Sequence, residues 1–287
     1  MPFAITRDKL RLHYEEAGSG TPIIFLHEFS GDHRSWEAQL RYFSRRHRCI
    51  AYAARGYAPS DVPTSVAAYD YTHFVNDAVD VLDHLRIAKA HVVGLSMGGY
   101  AALHVGLTYP DRALSLTLAG TGSGSERDRQ DEFRKGAEQT AQQFESLGAA
   151  HMASTFGLGP GRVPLQVKDP RGYAEFAAQF AEHDARGSAL VMRGFQGRRP
   201  SVYDFEEVIA QLTLPVLVMV GDEDDACIEP SLFLKRKIAA SGLAMFPKTG
   251  HGVNLEEPDL FNRTLSDFIA LVEAGRWPPR DPRSLRK

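Results

Sequence analysis

Three residues distant in the chain can be assembled into one piece of chemistry. Ser96 stands in Gly94-Leu95-Ser96-Met97-Gly98-Gly99, after the apolar run His91-Val92-Val93 and before the amphipathic stretch from Tyr100 to Tyr109. Strand, glycine-flanked serine and helix, in that order, make a tight elbow: the serine backbone is strained, and side chains at positions 94 and 98 would collide with the neighbouring strand and helix. The hydroxyl is lifted clear of the sheet. It also sits at a helix N-terminus, where free N–H groups favour negative charge developing on a substrate. The N–H of Met97, directly after the serine, is one candidate donor to such an oxyanion.

A serine hydroxyl is too weak a nucleophile at neutral pH without a base to take its proton. His251, in Thr249-Gly250-His251-Gly252, is the candidate, on a loop that its two glycines leave free to bend inward. An imidazole in that role needs a carboxylate to fix its tautomer. Gly221-Asp222-Glu223-Asp224-Asp225 supplies one, with Asp224 as the candidate and Asp222 and Asp225 beside it.

The elements that must position these residues follow a rhythm. Ile5 to Ala17 reads as an edge hairpin, and Pro22–Leu26, Cys49–Ala53, Ala113–Leu118, Leu214–Val220 and Leu243–Phe246 read as apolar strands. Between them, Ser35–Phe43, Tyr69–Leu85, Phe205–Leu212, Ser231–Ala240 and Pro258–Val272 have helical spacing. Alternating strands and helices predict an α/β chain with a parallel sheet covered on both faces, its reactive groups beyond the carboxyl ends of the strands. The rhythm breaks after Gly122. The next stretch shows helices at Glu126–Leu147, Tyr173–Asp184 and Ser188–Phe195, with a loop through Pro164 and Pro170, and reads as a helical insertion. This divides the chain into a core of 1–121 and 205–274, a helical cap of 122–204 and a flexible Pro- and Arg-rich tail of 275–287.

The Gly-Leu-Ser-Met-Gly-Gly elbow, the Gly221-x-x-Asp224 turn, Gly250-His251 followed by Asn254-Leu255-Glu256-Glu257-Pro258, and Arg55-Gly56-Tyr57-x-x-Ser60-Asp61 together resemble the α/β-hydrolase superfamily. The likeness spans nearly everything but the insertion and the tail, and is closest to the esterase, enol-lactonase, perhydrolase and meta-cleavage-product hydrolase branches. It implies a mostly parallel eight-stranded sheet and a cofactor-free serine hydrolase with Ser96, Asp224 and His251 in the order nucleophile, acid, base. It also implies that the second oxyanion donor is the N–H of Phe29, in the loop where the family reads His-Gly-x and this chain has His27-Glu28-Phe29. Glu28 departs from that pattern and puts a carboxylate near the site, with Arg55 or His33 as its expected partner. Serine at position 96 argues against the dehalogenase and epoxide hydrolase branches, which use aspartate there.

Other residues have plainer readings. His27 is expected to brace its loop, Arg55 to form a structural ion pair, and Cys49 and Cys227 to stay reduced thiols. In the cap, Phe144, Phe156 and Met192 are the candidates to face an apolar substrate, and Arg193, with Arg198 and Arg199, is the candidate to meet a substrate carboxylate. The histidine spacing shows no zinc pattern, so no metal is expected.

Lys plus Arg number 33 and Asp plus Glu 36, a net charge of -3 that gives no basic field for nucleic acid or an anionic membrane. With 43% hydrophobic residues, no long apolar run and no signal-like N-terminus, a cytoplasmic globular protein is expected, with room for a homodimer. The expected partner is a small ester, lactone or diketone. Ester or lactone hydrolysis leads; cleavage of a carbon–carbon bond by the same triad is the first alternative. A non-catalytic ligand-binding protein on the same fold is the second.

Overall fold

The apolar runs become strands of a single sheet, and their alternation explains how it is covered. A computed structural model describes residues 1–284. Its strands are β1 (Phe3–Ile5), β2 (Arg11–Ala17), β3 (Pro22–Leu26), β4 (Arg48–Tyr52), β5 (Ala90–Leu95), β6 (Ala113–Ala119), β7 (Val216–Gly221) and β8 (Ser241–Phe246). They lie in the order β1-β2-β4-β3-β5-β6-β7-β8. The β1–β2 and β2–β4 pairs are antiparallel, and every later pair is parallel. The expected eight-stranded, mostly parallel sheet is thus what the chain builds.

Successive strand residues face opposite layers. Ile24, Val92, Leu116 and Val218 enter one apolar cluster; Ile23, Val93, Leu217 and Met219 enter the other. Helices α1 (Glu37–Phe43), α2 (Tyr71–His84) and α3 (Met97–Thr108) follow the early strands. Between β6 and β7 come α4 (Gln130–Thr155), α5 (Val163–Lys168), α6 (Pro170–Ala181) and α7 (Ala185–Val191). The chain closes with α8 (Glu206–Ala210), α9 (Asp225–Lys237), α10 (Val253–Glu256) and α11 (Pro258–Glu273). Leu40 of α1 and Phe261, Leu265 and Phe268 of α11 cover one face of the sheet, while α2, α3 and the inserted helices share the cluster on the other. Among the described residues, no helix is long and apolar enough to cross a membrane.

Three expectations need correction. The loop read through Pro164 and Pro170 is helical over α5, because each proline occupies the first turn of a helix, where its missing N–H costs nothing. The helix read as Ser231–Ala240 instead begins at Asp225 and carries Pro230 inside it. The stretch after Gly275, read as a flexible tail, is anchored: the Trp277 indole donates to Ala240 O at 3.0 Å and packs edge-on against Phe268, and Arg280 N donates to Ala239 O at 3.0 Å. The last part of that expected tail, 285–287, lies outside the described residues.

Candidate active site

Ser96 takes the conformation that its flanking glycines were read to permit. It lies at φ 56° and ψ -113° between β5 and α3, its N–H bonded to Ala119 O at 2.8 Å. A Cβ on Gly98 would fall 2.1 Å from Leu26 O, and one on Gly94 would fall 2.1 Å from Gly98 O, so helix and strands approach as only glycine allows. Met97 is the first residue of α3, and its N–H has no intrahelical acceptor.

The candidate base and acid meet. His251 Nδ1 lies 2.8 Å from Asp224 Oδ2, with Asp224 buried and His251 half-buried. Burial pushes the Asp224 carboxyl up, but the charge and hydrogen bond of His251, with Cys227 and Arg162, more than offset this and hold it below its ordinary range. Asp225 is exposed and opens α9, and Asp222 Oδ1 accepts from Thr249 N at 3.2 Å, so neither competes for the imidazole. Cys227 donates to Gly120 O at 3.2 Å, and burial pushes its thiol well above the usual range, keeping it protonated. Among the described residues, Asp224, Cys227 and His251 form one set close enough to share an ion, and His13, Glu15 and His33 another.

The loop bearing Phe29 is fixed from both sides. His27 Nδ1 contacts Glu28 O at 2.6 Å while His27 Nε2 accepts from Ala54 N at 3.0 Å, and Tyr57 Oη donates to Phe29 O at 2.9 Å. Because the Glu28–Phe29 peptide is planar, holding its carbonyl also sets the direction of the Phe29 N–H. The Phe29 ring meets Phe144 and Phe156 edge-on at 5.8 Å each.

A model of the family described as alpha/beta hydrolase fold matches residues 21–258. This chain belongs to that family. Among alpha/beta hydrolase relatives, it is similar to the 3-oxoadipate enol-lactonase 1 of Acinetobacter baylyi, at 25% identity over 88% of this chain and 89% of the relative. Two solved structures share the fold. The enol-lactonase of Burkholderia xenovorans superposes with a TM-score of 0.80 at 22% identity, covering 94% of this chain and 100% of that one. A thermophilic esterase of Thermogutta terrifontis superposes with a TM-score of 0.84 at 24% identity, covering 94% and 98%.

The remaining candidates in this alpha/beta hydrolase divide. Phe144 and Met192 are buried in the apolar cluster shared with Phe29, and Phe156 is partly exposed at its edge. Arg193 does not serve as expected: Glu138 and Glu145 of α4 hold its guanidinium, at 2.9 and 2.5 Å. Arg199 is spent on Gln196 and Ser123 and stacks 4.8 Å over Tyr100. Glu28 pairs with neither Arg55 nor His33. Arg55 is taken by Asp77 and Asp8, and Glu28 meets Arg162 of the inserted segment. Arg162 was not among the sequence candidates, and neither was Glu256, whose carboxylate accepts from Gly250 N at 2.8 Å and Gly252 N at 3.1 Å. Its place in Asn254-Leu255-Glu256-Glu257-Pro258 was the one available signal.

Proposed function

We propose that this chain is a serine hydrolase that opens a small carboxylic ester or lactone through an acyl-enzyme on Ser96. The observation behind this reading is the 2.8 Å contact of His251 Nδ1 with Asp224 Oδ2, downstream of a serine held at φ 56°. A carboxylate at Nδ1 keeps the proton on that nitrogen and leaves the Nε2 lone pair free to accept one. Ser96 Oγ attacks the acyl carbon as His251 Nε2 takes its proton, and the N–H groups of Met97 and Phe29 hold the resulting oxyanion. The imidazolium, stabilised by Asp224, then protonates the leaving alcohol or enol. Water, deprotonated by the same nitrogen, releases the acid. In a lactone the leaving group stays tethered to the acyl part.

The similarity to the Acinetobacter enol-lactonase supports this substrate class. The helices between residues 122 and 204 act as the cap, and the aromatic cluster of Phe29, Phe144 and Phe156 favours an apolar acyl part. Carbon–carbon hydrolysis of a diketone acid calls for a cap arginine free to meet the substrate carboxylate, and Arg193 is ion-paired with Glu138 and Glu145 instead.

The test is steady-state hydrolysis of p-nitrophenyl esters of two to eight carbons and of an enol-lactone, with Ser96→Ala and Asp224→Asn beside the native chain. Ser96→Ala is expected to lower kcat by ~10⁴-fold or more, and Asp224→Asn by roughly 10³- to 10⁴-fold. Native and Ser96→Ala chains of equal rate would end the reading.

A further inference from the structure

The triad leaves one part of the site unexplained: a carboxylate beside the oxyanion donor, answered by an arginine from the cap. Glu28 is 1% exposed and Arg162 6%. Arg162 Nη2 bonds Glu28 Oε2 and lies 3.1 Å from Ser30 Oγ, which itself donates to Glu28 Oε2 at 3.0 Å. The guanidinium rests 4.8 Å over the Phe176 ring of α6. Burial pulls Arg162 down to about 10, against the carboxylates of Glu256 and Asp224, so it stays a cation at neutral pH.

The same short segment, Pro160–Arg162, also reaches the base. Gly161 O accepts from His251 N at 2.9 Å, and a Cβ on Gly250 would fall 2.5 Å from that carbonyl, so the two backbones abut. Two successive residues therefore touch the oxyanion loop through the Arg162 side chain and the base loop through the Gly161 carbonyl.

A bare carboxylate next to an amide that must hold a developing oxyanion opposes the chemistry. As a scale, like charges ~6 Å apart at an effective dielectric of ~20 would cost a factor of ~100 in rate, and Glu28 adjoins the donor residue in sequence. Arg162 cancels that charge only while its segment is seated. We propose that Arg162 is a positioning residue that makes the oxyanion hole depend on the seating of the Pro160–Arg162 segment. With the segment docked, Glu28 is neutralised and the His251 N–H is held. With it lifted, the carboxylate stands unpaired beside Phe29, and His251 loses its backbone partner. Acyl transfer is thereby confined to the state in which this segment is seated. The inference rests on the Ser96 reading above.

The experiment uses the full chain and three variants, Arg162→Met, Glu28→Gln and the double Glu28→Gln/Arg162→Met. It measures kcat and KM on p-nitrophenyl acetate and the rate at which an alkyl p-nitrophenyl phosphonate labels Ser96. Arg162→Met is expected to lose ~100-fold in kcat with KM changed less than ~3-fold. The double variant should recover to within ~10-fold of Glu28→Gln. A merely structural arginine would give no such rescue. The proposal is overturned by a double variant no faster than Arg162→Met, by Arg162→Met within ~3-fold of native, or by a rise in KM alone, which would make Arg162 a substrate ligand. Should Arg162→Met fail to fold, the double variant, which buries no unpaired charge, is compared directly with Glu28→Gln: similar rates support the proposal, and loss of hydrolysis in the double alone sinks it. Labelling of native Ser96 without rescue defeats only the coupling to the cap. Absence of both labelling and turnover in the native chain takes down the hydrolase reading and the coupling with it.

Discussion

His27 controls the direction of an amide that is not its own. Its partners leave one tautomer: Glu28 O can only accept, so Nδ1 carries the hydrogen, and the Ala54 N–H can only donate, so Nε2 is bare. A second proton would set two N–H groups against each other, and burial opposes it further, pushing the imidazole down to about 3. An unfolded histidine titrates near ~6.5. Between these values the unfolded chain binds a proton that the native one refuses, so this part of the stability is complete above ~6.5 and is lost as pH falls towards 3. His91 and His104, both held at about 4 by burial, act in the same direction. Replacing His27 by glutamine removes one of these protons. From pH 7 to pH 5 the native chain should therefore lose ~2 kcal/mol more stability to urea than His27→Gln, the slope steepening below ~6.5. Equal slopes would show that His27 titrates as it would in water. Because the Glu28–Phe29 peptide is released in part, kcat of the variant should also fall, by ~10-fold.

At the scale of elements, the elbow is a tightly constrained join. Gly98 packs against the β3 carbonyl of Leu26 so closely that Gly98→Ala must push α3 away from the sheet, and with it Ser96. A loss of at least ~2 kcal/mol in urea unfolding is expected, with activity falling alongside; a stable, active variant would contradict the packing argument. This join was legible because its constraints are local: a strand, a turn and a helix N-terminus are written in neighbouring residues. The strand Pro22–Leu26 was read to the residue for the same reason, since a continuous apolar run bounded by glycine and polar loops has few alternatives. Helix limits were less legible where proline carries two meanings. Pro230 reads as a breaker yet lies within α9, whereas the helix expected to close at Leu147 does stop there: Gly148, at φ 80° and ψ 166°, breaks α4 into two helical segments, the second reaching Thr155. The Glu28–Arg162 pair was beyond reach, because its partners stand 134 residues apart and nothing local to either names the other. Glu28 was legible as an anomaly, while its partner is brought to it only by the fold.

The whole molecule is built so that the inserted helices, proposed as a cap, have little independence from the core. Phe144, Phe176, Phe180 and Phe195 of the inserted segment lie in the same apolar cluster as Phe29, Tyr57, Phe74 and Tyr100 of the core, so undocking the cap exposes apolar surface on both sides. At roughly 25 cal/mol per Å² of apolar surface, uncovering several aromatic side chains costs more than a helical segment of this size could recover on its own. Cap and core should therefore unfold together. The two tryptophans permit a clean test, since Trp36 is buried in the opposite layer of the sheet and Trp277 packs against it, so fluorescence reports the face away from the cap. Far-UV circular dichroism reports all helices, α4 to α7 included. Urea transitions followed by the two signals are expected to coincide, with midpoints within ~0.2 M and a single slope. A loss of helix that precedes the fluorescence change would mean that the cap melts from a folded core. In that case Arg162 would leave Glu28 under conditions where the rest of the site is intact, and hydrolysis should fail with the first transition and not with the second.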